Sequence, residues 1–261
     1  MTKPGLCSIT FRSLGADEVL AVAVRSGVEG IEWGADGHVP PGATGTAAAL
    51  AARCRDAGVE IVSYGSYLGM GPPAGDEVAT VGAVLDSADA LGAPMIRIWT
   101  ELGVMPDSPA DERARVIERT AGFVDAIAAR GIVAALEFHP FTLTHTAAGA
   151  IALLDSVGRP ELRTHWQPDP SLPPETALGE LEAVTPWLAH LHVFAWGPGG
   201  ISERLALADG AAVWSPALAR TDAPGRYALC EYVRDDDPDQ LAADVATLRV
   251  WLSPSEGSGQ R

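Results

Sequence analysis

Short apolar and β-branched runs alternate with longer Ala- and Leu-rich segments that carry charges at helical spacing, and the alternation continues along the whole chain. The runs predict strands at residues 6–10, 28–33, 60–64, 95–99, 132–138, 162–167, 188–193 and 227–232. Between them the spacing predicts helices at 16–26, 46–57, 76–91, 109–130, 147–156, 175–184, 211–219 and 238–252. Gly27, Gly58, Gly92 and Gly131 stand just past four of these helices, where a left-handed residue closes the last turn, and each leads directly into a strand. Strands that each lead into a helix, eight times over, form the pattern of a closed parallel barrel. No dinucleotide-binding glycine fingerprint follows the first strand, which disfavours the alternative, a doubly wound open sheet. The expectation is an α/β chain folded as a (β/α)8 TIM barrel, a single domain over residues 1–252 with a disordered polar tail at 253–261.

Three segments break the rhythm. Residues 40–45 and 69–75, rich in Pro and Gly, follow strands two and three, and residues 195–210 follow strand seven. In a barrel all three would lie over the C-terminal face, where reactive groups collect. The Gly197-Pro198-Gly199-Gly200 stretch lacks the spacing of a phosphate cradle and reads as a flexible lid.

The residues at the ends of the expected strands are Thr10, Trp33, Tyr64, Trp99, Glu137, Gln167, His192 and Glu231. The last four can ligate metal. Two carboxylates, an amide oxygen and an imidazole suit a divalent ion such as Mn2+, Mg2+, Co2+ or Zn2+. The plainer reading of Glu137 and Glu231 is that each pairs with an Arg or Lys at the rim, but an acid on an apolar strand is costly to bury without a partner, and two of them, on strands five and eight, strengthen the reading as a site. Taking a proton from a carbon beside a carbonyl needs a base, an acid and a cation to hold the enediolate oxygens. Glu137 and Glu231 are the candidate acid/base pair.

From Leu6-Cys7-Ser8-Ile9-Thr10 through Gly30-Ile31-Glu32-Trp33 and Leu136-Glu137-Phe138-His139 to His190-Leu191-His192 and Glu231, nearly the whole chain resembles the xylose isomerase-like TIM barrels, a superfamily of sugar isomerases and epimerases. The resemblance implies a divalent metal held by a Glu after strand five, an Asp after six, a His after seven and a Glu after eight. Those positions are Glu137, Gln167, His192 and Glu231 here. The departure is Gln167, which leaves the set one negative charge short; Asp169, two residues on, is the fallback ligand. Ketose 3-epimerases of the family place a His and an Arg where this chain has Pro170 and Pro198, so that activity is not implied. The implied function is isomerisation or epimerisation of a sugar, sugar phosphate or polyol. A dehydratase of the inosose type, or a catalytically silent sugar-binding barrel, are the alternatives. Phosphodiester hydrolysis, which the family also contains, needs more His and Asp ligands than the strand ends offer.

Candidate substrate contacts are Trp33, His38, Tyr64, Trp99, His139, Trp196 and Arg204, since indole faces stack on the C–H face of a sugar and the rest flank strand ends. Trp166, His165 and His190 read as packing or supporting residues. Arg97 is a cation inside an apolar run and requires a carboxylate, Glu32 or Glu137. The acidic run 235–237 reads as a helix N-terminal cluster.

The 261 residues carry 18 basic and 34 acidic side chains, a formal charge of -16, which excludes a nucleic-acid partner. No run approaches the ~18 apolar residues of a membrane span and no signal-like stretch is present, so a cytoplasmic location is expected. Cys7, Cys54 and Cys230 are widely spaced and expected reduced and packed. A small-molecule partner is expected, with a homodimer as the implied assembly.

Overall fold

A computed structural model describes residues 1–73 and 75–253. Eight parallel strands close into one barrel in chain order: β1 Lys3–Cys7, β2 Gly30–Gly34, β3 Glu60–Gly65, β4 Met95–Ile98, β5 Val133–Glu137, β6 Arg163–Trp166, β7 Leu188–Val193 and β8 Tyr227–Cys230. The pairing of β1 with β8, Lys3 opposite Tyr227 and Leu6 opposite Cys230, seals the ring. Eight helices surround it: α1 Ala16–Ser26, α2 Thr44–Ala57, α3 Glu77–Leu91, α4 Ala110–Ala128, α5 Ala147–Val157, α6 Pro174–Val184, α7 Ala211–Thr221 and α8 Pro238–Leu252. The single-domain (β/α)8 barrel expected from the pattern is the fold observed. The tail expected to be disordered lies, from residue 254 on, outside the described residues.

The first strand departs most from expectation. Lys3-Pro4-Gly5 reads as a turn, yet these residues begin β1, and Ser8–Phe11 form a 3-10 turn instead of its end. A Cβ at Gly5 would lie 2.5 Å from Leu229 Cδ2 and 3.0 Å from the Gly30 carbonyl oxygen, so only glycine lets β1 close against its neighbours. Elsewhere the ends agree within two residues, about the spread between ways of assigning them. At α1, Gly15 N–H donates to Glu18 Oε2 at 2.8 Å at the start, and Gly27 at φ 75° satisfies the last carbonyls.

Most of the apolar core lies between barrel and helices and includes Leu6, Ile31, Leu136, Trp166 and Trp214. A smaller apolar cluster, Cys7, Ile9, Val62, Tyr227 and Leu229, joins residues of β1, β3 and β8. Across the same interior, polar side chains of β1, β2, β4, β6 and β7 touch one another: Cys7, Glu32, Arg97, His165 and His192. Barrel interiors are usually filled by layers of branched apolar residues, so a buried polar layer sets this one apart. Among the described residues, no helix is long and apolar enough to cross a membrane.

Candidate metal centre

The site is built in two tiers on the strands. In the lower tier Arg97 reaches from β4 to two carboxylates, with Nε 2.8 Å from Glu32 Oε1 and Nη1 bonded to Glu137 Oε2. Arg97 is 1 % exposed and Glu32 likewise, so each charge needs the other. Ser63 donates to Glu32 Oε2, and His165 Nδ1 lies 3.3 Å from the same oxygen. Burial opposes the charge on Glu32, but Arg97 and His192 outweigh it and hold the carboxyl well below the usual range. Both carboxylates that the sequence offered to Arg97 are used. Its Nη2 has no partner, and a Cβ on Gly65 would come within 2.7 Å of it.

The upper tier holds Glu137, the last residue of β5, His192 of β7, and Glu231 just past β8. His192 Nδ1 stands 3.6 Å from Glu137 Oε1 and 3.5 Å from Glu231 Oε2. Its other nitrogen, Nε2, is 3.3 Å from His165 Nδ1 and 3.5 Å from Cys7 Sγ. Thus the ring is fixed from below, and Nδ1, though buried, makes no hydrogen bond. Gln167, just past β6, donates from Nε2 to the Phe138 carbonyl at 2.6 Å and lies 3.5 Å from Glu137 Oε1; its own Oε1 is buried and unpartnered.

The two carboxylates differ. Burial works against ionised Glu137, but Arg97 and His192 prevail and lower its pKa. Burial raises Glu231 to about 7, helped by the negative charge of Glu137 and opposed by His192. His192 is raised well above its ordinary value, because Cys7, Glu231 and Glu32 outweigh burial.

A divalent ion fits this donor set. Glu137, His192 and Glu231 each present one ligand atom within 4.8 Å of the others. The 3.5 and 3.6 Å separations come close to the about 3.4 Å between neighbouring ligands that each lie about 2.1 Å from a tetrahedral ion. Two orphaned buried atoms, His192 Nδ1 and Gln167 Oε1, are the kind an ion would satisfy. A second group, Cys7, Glu32 and His192, has similar spacing but is already tied to Arg97 and Ser63.

A family model for the xylose isomerase-like TIM barrel matches residues 20–251. The chain belongs to that family. No curated protein matches the sequence significantly. Among solved structures, the probable 3-DHS dehydratase AsbF involved in petrobactin synthesis from Bacillus anthracis is 20% identical, with 95% of this chain and 98% of that chain covered and a TM-score of 0.79. A D-allulose 3-epimerase from Methylomonas sp. is 16% identical over 96% and 98% of the two chains, with a TM-score of 0.71. A xylose isomerase-like TIM-barrel protein from Mycobacterium smegmatis in complex with magnesium is 17% identical over 96% and 97%, with a TM-score of 0.68. At these identities the likeness concerns the fold.

The remaining candidates scatter within this xylose isomerase-like barrel. Trp99 and His139 come together, ring centroids 4.2 Å apart, and His139 lines a cavity of about 290 Å³ that opens beside Gln167. Trp196 lines the same cavity and stacks on Phe194 at 3.9 Å. Trp33 is fully buried in the outer core, and the Tyr64 hydroxyl donates to the Val39 carbonyl at 2.7 Å. His38 turns inward, with Nδ1 2.9 Å from Ser8 Oγ and Nε2 donating to the Leu14 carbonyl, which braces the β1 and β2 ends. Arg204 pairs with Asp236, so the acidic run is more than a helix cap: Asp237 caps α8 while Asp236 anchors this loop. Asp169, the fallback ligand, sits on the cavity wall with Oδ2 4.0 Å from His145 Nε2. Sequence reasoning assigned no role at the site to Cys7, Ser63 or His145. The signal for the lower tier was present in Glu32, a charge inside Gly30-Ile31-Glu32-Trp33 as conspicuous as Arg97.

Proposed function

We propose that the protein is a divalent-metal-dependent isomerase or epimerase that moves a proton at the carbon beside a carbonyl in a sugar or polyol derivative. The observation that carries this reading is the convergence of Glu137, His192 and Glu231 on one point, with His192 Nδ1 left without a hydrogen bond. Glu137, Gln167, His192 and Glu231 would hold the ion. When bound, it supplies positive charge that polarises the substrate carbonyl and offsets the charge that develops there.

The chain's own residues do the rest. Arg97 occupies Glu137 Oε2, so Glu137 is oriented and kept ionised, with Oε1 turned to the site. Glu231 touches His192 through Oε2 and has no arginine against it, which suits it to give and take the mobile proton. Its burial, at 4 % exposure, keeps competing water away from that proton. His139 and Trp196 line a cavity in which a substrate can be oriented, and Trp99 backs His139.

A lyase on the same site is the second reading. It needs the same proton abstraction and differs in expelling a hydroxyl from the adjacent carbon. Pro170 and Pro198, which can neither donate nor accept through a side chain, favour it over ketose 3-epimerisation.

Incubating Mn2+-loaded protein in D2O with a panel of free and phosphorylated ketoses and cyclic hydroxyketones tests both. Isomerase or epimerase action adds deuterium beside the carbonyl, and lyase action gives a product lighter by one water. Protein that takes up no divalent ion, or exchange that survives in both Glu137→Gln and Glu231→Gln, overturns the reading.

A further inference from the structure

Glu137 and Glu231 are aimed by different means. Arg97 bonds Glu137 Oε2 and fixes its side chain, whereas the Glu231 carboxylate has one ion-pair contact among the described residues, His192 Nδ1 at 3.5 Å. Its direction has to come from the backbone. Glu231 N–H donates to the Val193 carbonyl at 3.0 Å, which carries the pairing with β7 one residue past the end of β8. A single hydroxyl ties the residues on either side: Thr10 Oγ1 donates to the Cys230 carbonyl at 3.4 Å and accepts from Tyr232 N–H at 3.1 Å. Thr10 is buried in the 3-10 turn that follows β1, so the strand that seals the barrel against β8 also supplies this brace.

The chain then turns in a conformation that tyrosine rarely takes. Among the described residues, four besides glycine have a positive φ, and three of them, Tyr232, Asp235 and Asp236, lie between β8 and α8. A short aspartate tolerates the left-handed region, but the Cβ of Tyr232, at φ 52°, is crowded against the backbone. Two guanidinium groups hold it there. Arg12 Nη1 donates to the Tyr232 hydroxyl at 3.1 Å with Cζ 5.7 Å from the ring centroid, while Arg204, bonded to Asp236 of the same connection, brings Cζ to 4.9 Å. Strain that is held in place from several elements at once, next to a reactive group, points to a geometry the site uses.

Strand alternation shows what the turn achieves. Ala228 and Cys230 face the core between barrel and helices, and Leu229 faces the interior, as Glu231 does. If β8 ran on, Val233 would take the next inward place, above Glu231 and over the point where the three ligands converge. With the left-handed turn at Tyr232, Val233 is instead buried in the outer core. The strand thus ends at the acid, and an apolar side chain is kept off it.

Resting on the reading of the metal centre given above, we propose that Thr10 and Tyr232 are positioning residues for Glu231: the Thr10 hydroxyl and the left-handed backbone at Tyr232 set where the Glu231 carboxylate points. Two matched pairs of variants test it, read by Mn2+ affinity in a chelator competition, by kcat and KM for deuterium exchange at saturating Mn2+, and by melting temperature. Thr10→Ser keeps the hydroxyl and Thr10→Val removes it; Tyr232→Gly takes the left-handed turn freely, and Tyr232→Val, branched at Cβ, resists it. Thr10→Val and Tyr232→Val should each weaken Mn2+ binding and lower kcat by about 10- to 100-fold, as expected when a group that orients a ligand is lost. KM should change by less than about threefold, and Thr10→Ser and Tyr232→Gly should stay within about threefold of the parent in every readout. A fall in melting temperature alone, with Mn2+ affinity and kcat kept in Thr10→Val and Tyr232→Val, overturns the proposal, as does a Tyr232→Gly protein as impaired as Tyr232→Val. If Tyr232→Val does not fold, the Thr10 pair decides. A parent protein that binds Mn2+ but exchanges deuterium with no panel compound overturns the reaction proposed above, and the Mn2+ affinities of the variants still uphold or overturn the positioning. A parent that exchanges without holding metal overturns the metal centre, and kcat in the same variants decides; a parent that does neither overturns both.

Discussion

Glu32 and Glu231 are the same residue type, both almost fully buried in one barrel, and they are treated in opposite ways. Both Glu32 oxygens are engaged, Oε1 by Arg97 and Oε2 by Ser63 and His165, and its carboxyl is held well below the usual range. Glu231 has an imidazole 3.5 Å away and no arginine, and burial lifts it to about 7. The lower tier therefore largely completes itself, while the upper tier leaves His192 Nδ1 and Gln167 Oε1 without partners. Buried polar atoms without hydrogen bonds are costly, so the upper tier is where a bound ion would relieve the larger cost. Burial alone does not distinguish a structural acid from a functional one; the saturation of its oxygens does.

The sharpest way to break this contrast is to neutralise one acid from each tier. Glu231→Gln should slow deuterium exchange into the best panel compound by about 10^3- to 10^4-fold, in the range of a lost acid/base group, and shift stability by less than about 1 kcal/mol. Glu32→Gln should do the reverse in kind. It removes one of the two carboxylates that compensate buried Arg97, and denaturant unfolding should show a loss of about 3 kcal/mol. Comparable stability losses in the two variants would erase the distinction between the tiers.

Arg97 links the tiers, because Nε serves Glu32 and Nη1 serves Glu137. Arg97→Met leaves both carboxylates buried without their cation and should cost about 3–5 kcal/mol if the pair is simply broken. The same fold with unchanged stability in chemical denaturation would mean that the lower tier is dispensable.

The order of elements and the circular site were legible because a barrel makes strand ends converge: once eight alternations are counted, Glu137, Gln167, His192 and Glu231 share one face by topology. What was not legible depended on side chains meeting across the interior. Glu32 contacts Arg97, His165 and His192 from strands far apart in sequence, and no local pattern in β2 encodes those partners. Trp33 and Tyr64 looked like mouth residues from their position at strand ends, but β2 and β3 extend to Gly34 and Gly65, and the two rings lie in the core between barrel and helices. The start of β1 was hidden for a different reason. Pro4 and Gly5 are poor strand formers, and only the need for close approach to Leu229 and Gly30 makes them suitable.

Gln167 is the corner where this chain departs from the pattern of its family, and it belongs to the open tier. Gln167→Asp restores a carboxylate, which adds the missing charge, and should tighten Mn2+ binding by about tenfold in a chelator competition. It also loses the amide donor to the Phe138 carbonyl, so a small fall in melting temperature should accompany the gain. Weaker metal binding in this variant would show that the amide, and not the charge, is what the site requires.

The smallest effect concerns the rim, where Asp36 accepts from Arg12 Nε at 2.7 Å and from the Tyr67 hydroxyl at 3.0 Å. Burial opposes its ionisation, but Arg12 and Tyr67 lower its pKa below the ordinary value. A carboxyl depressed in the folded state stabilises it above the unfolded pKa of about 3.9 and loses that contribution as pH falls through the folded value. Arg12 is well exposed, so screening limits the contribution to about 0.5 kcal/mol. Asp36→Asn should therefore be less stable than the parent at pH 7 by that amount, with the two unfolding curves converging as the pH drops below about 3. Because Glu32 is sealed from solvent and Asp36 is not, added salt should shrink the Asp36→Asn difference and leave the Glu32→Gln difference nearly untouched.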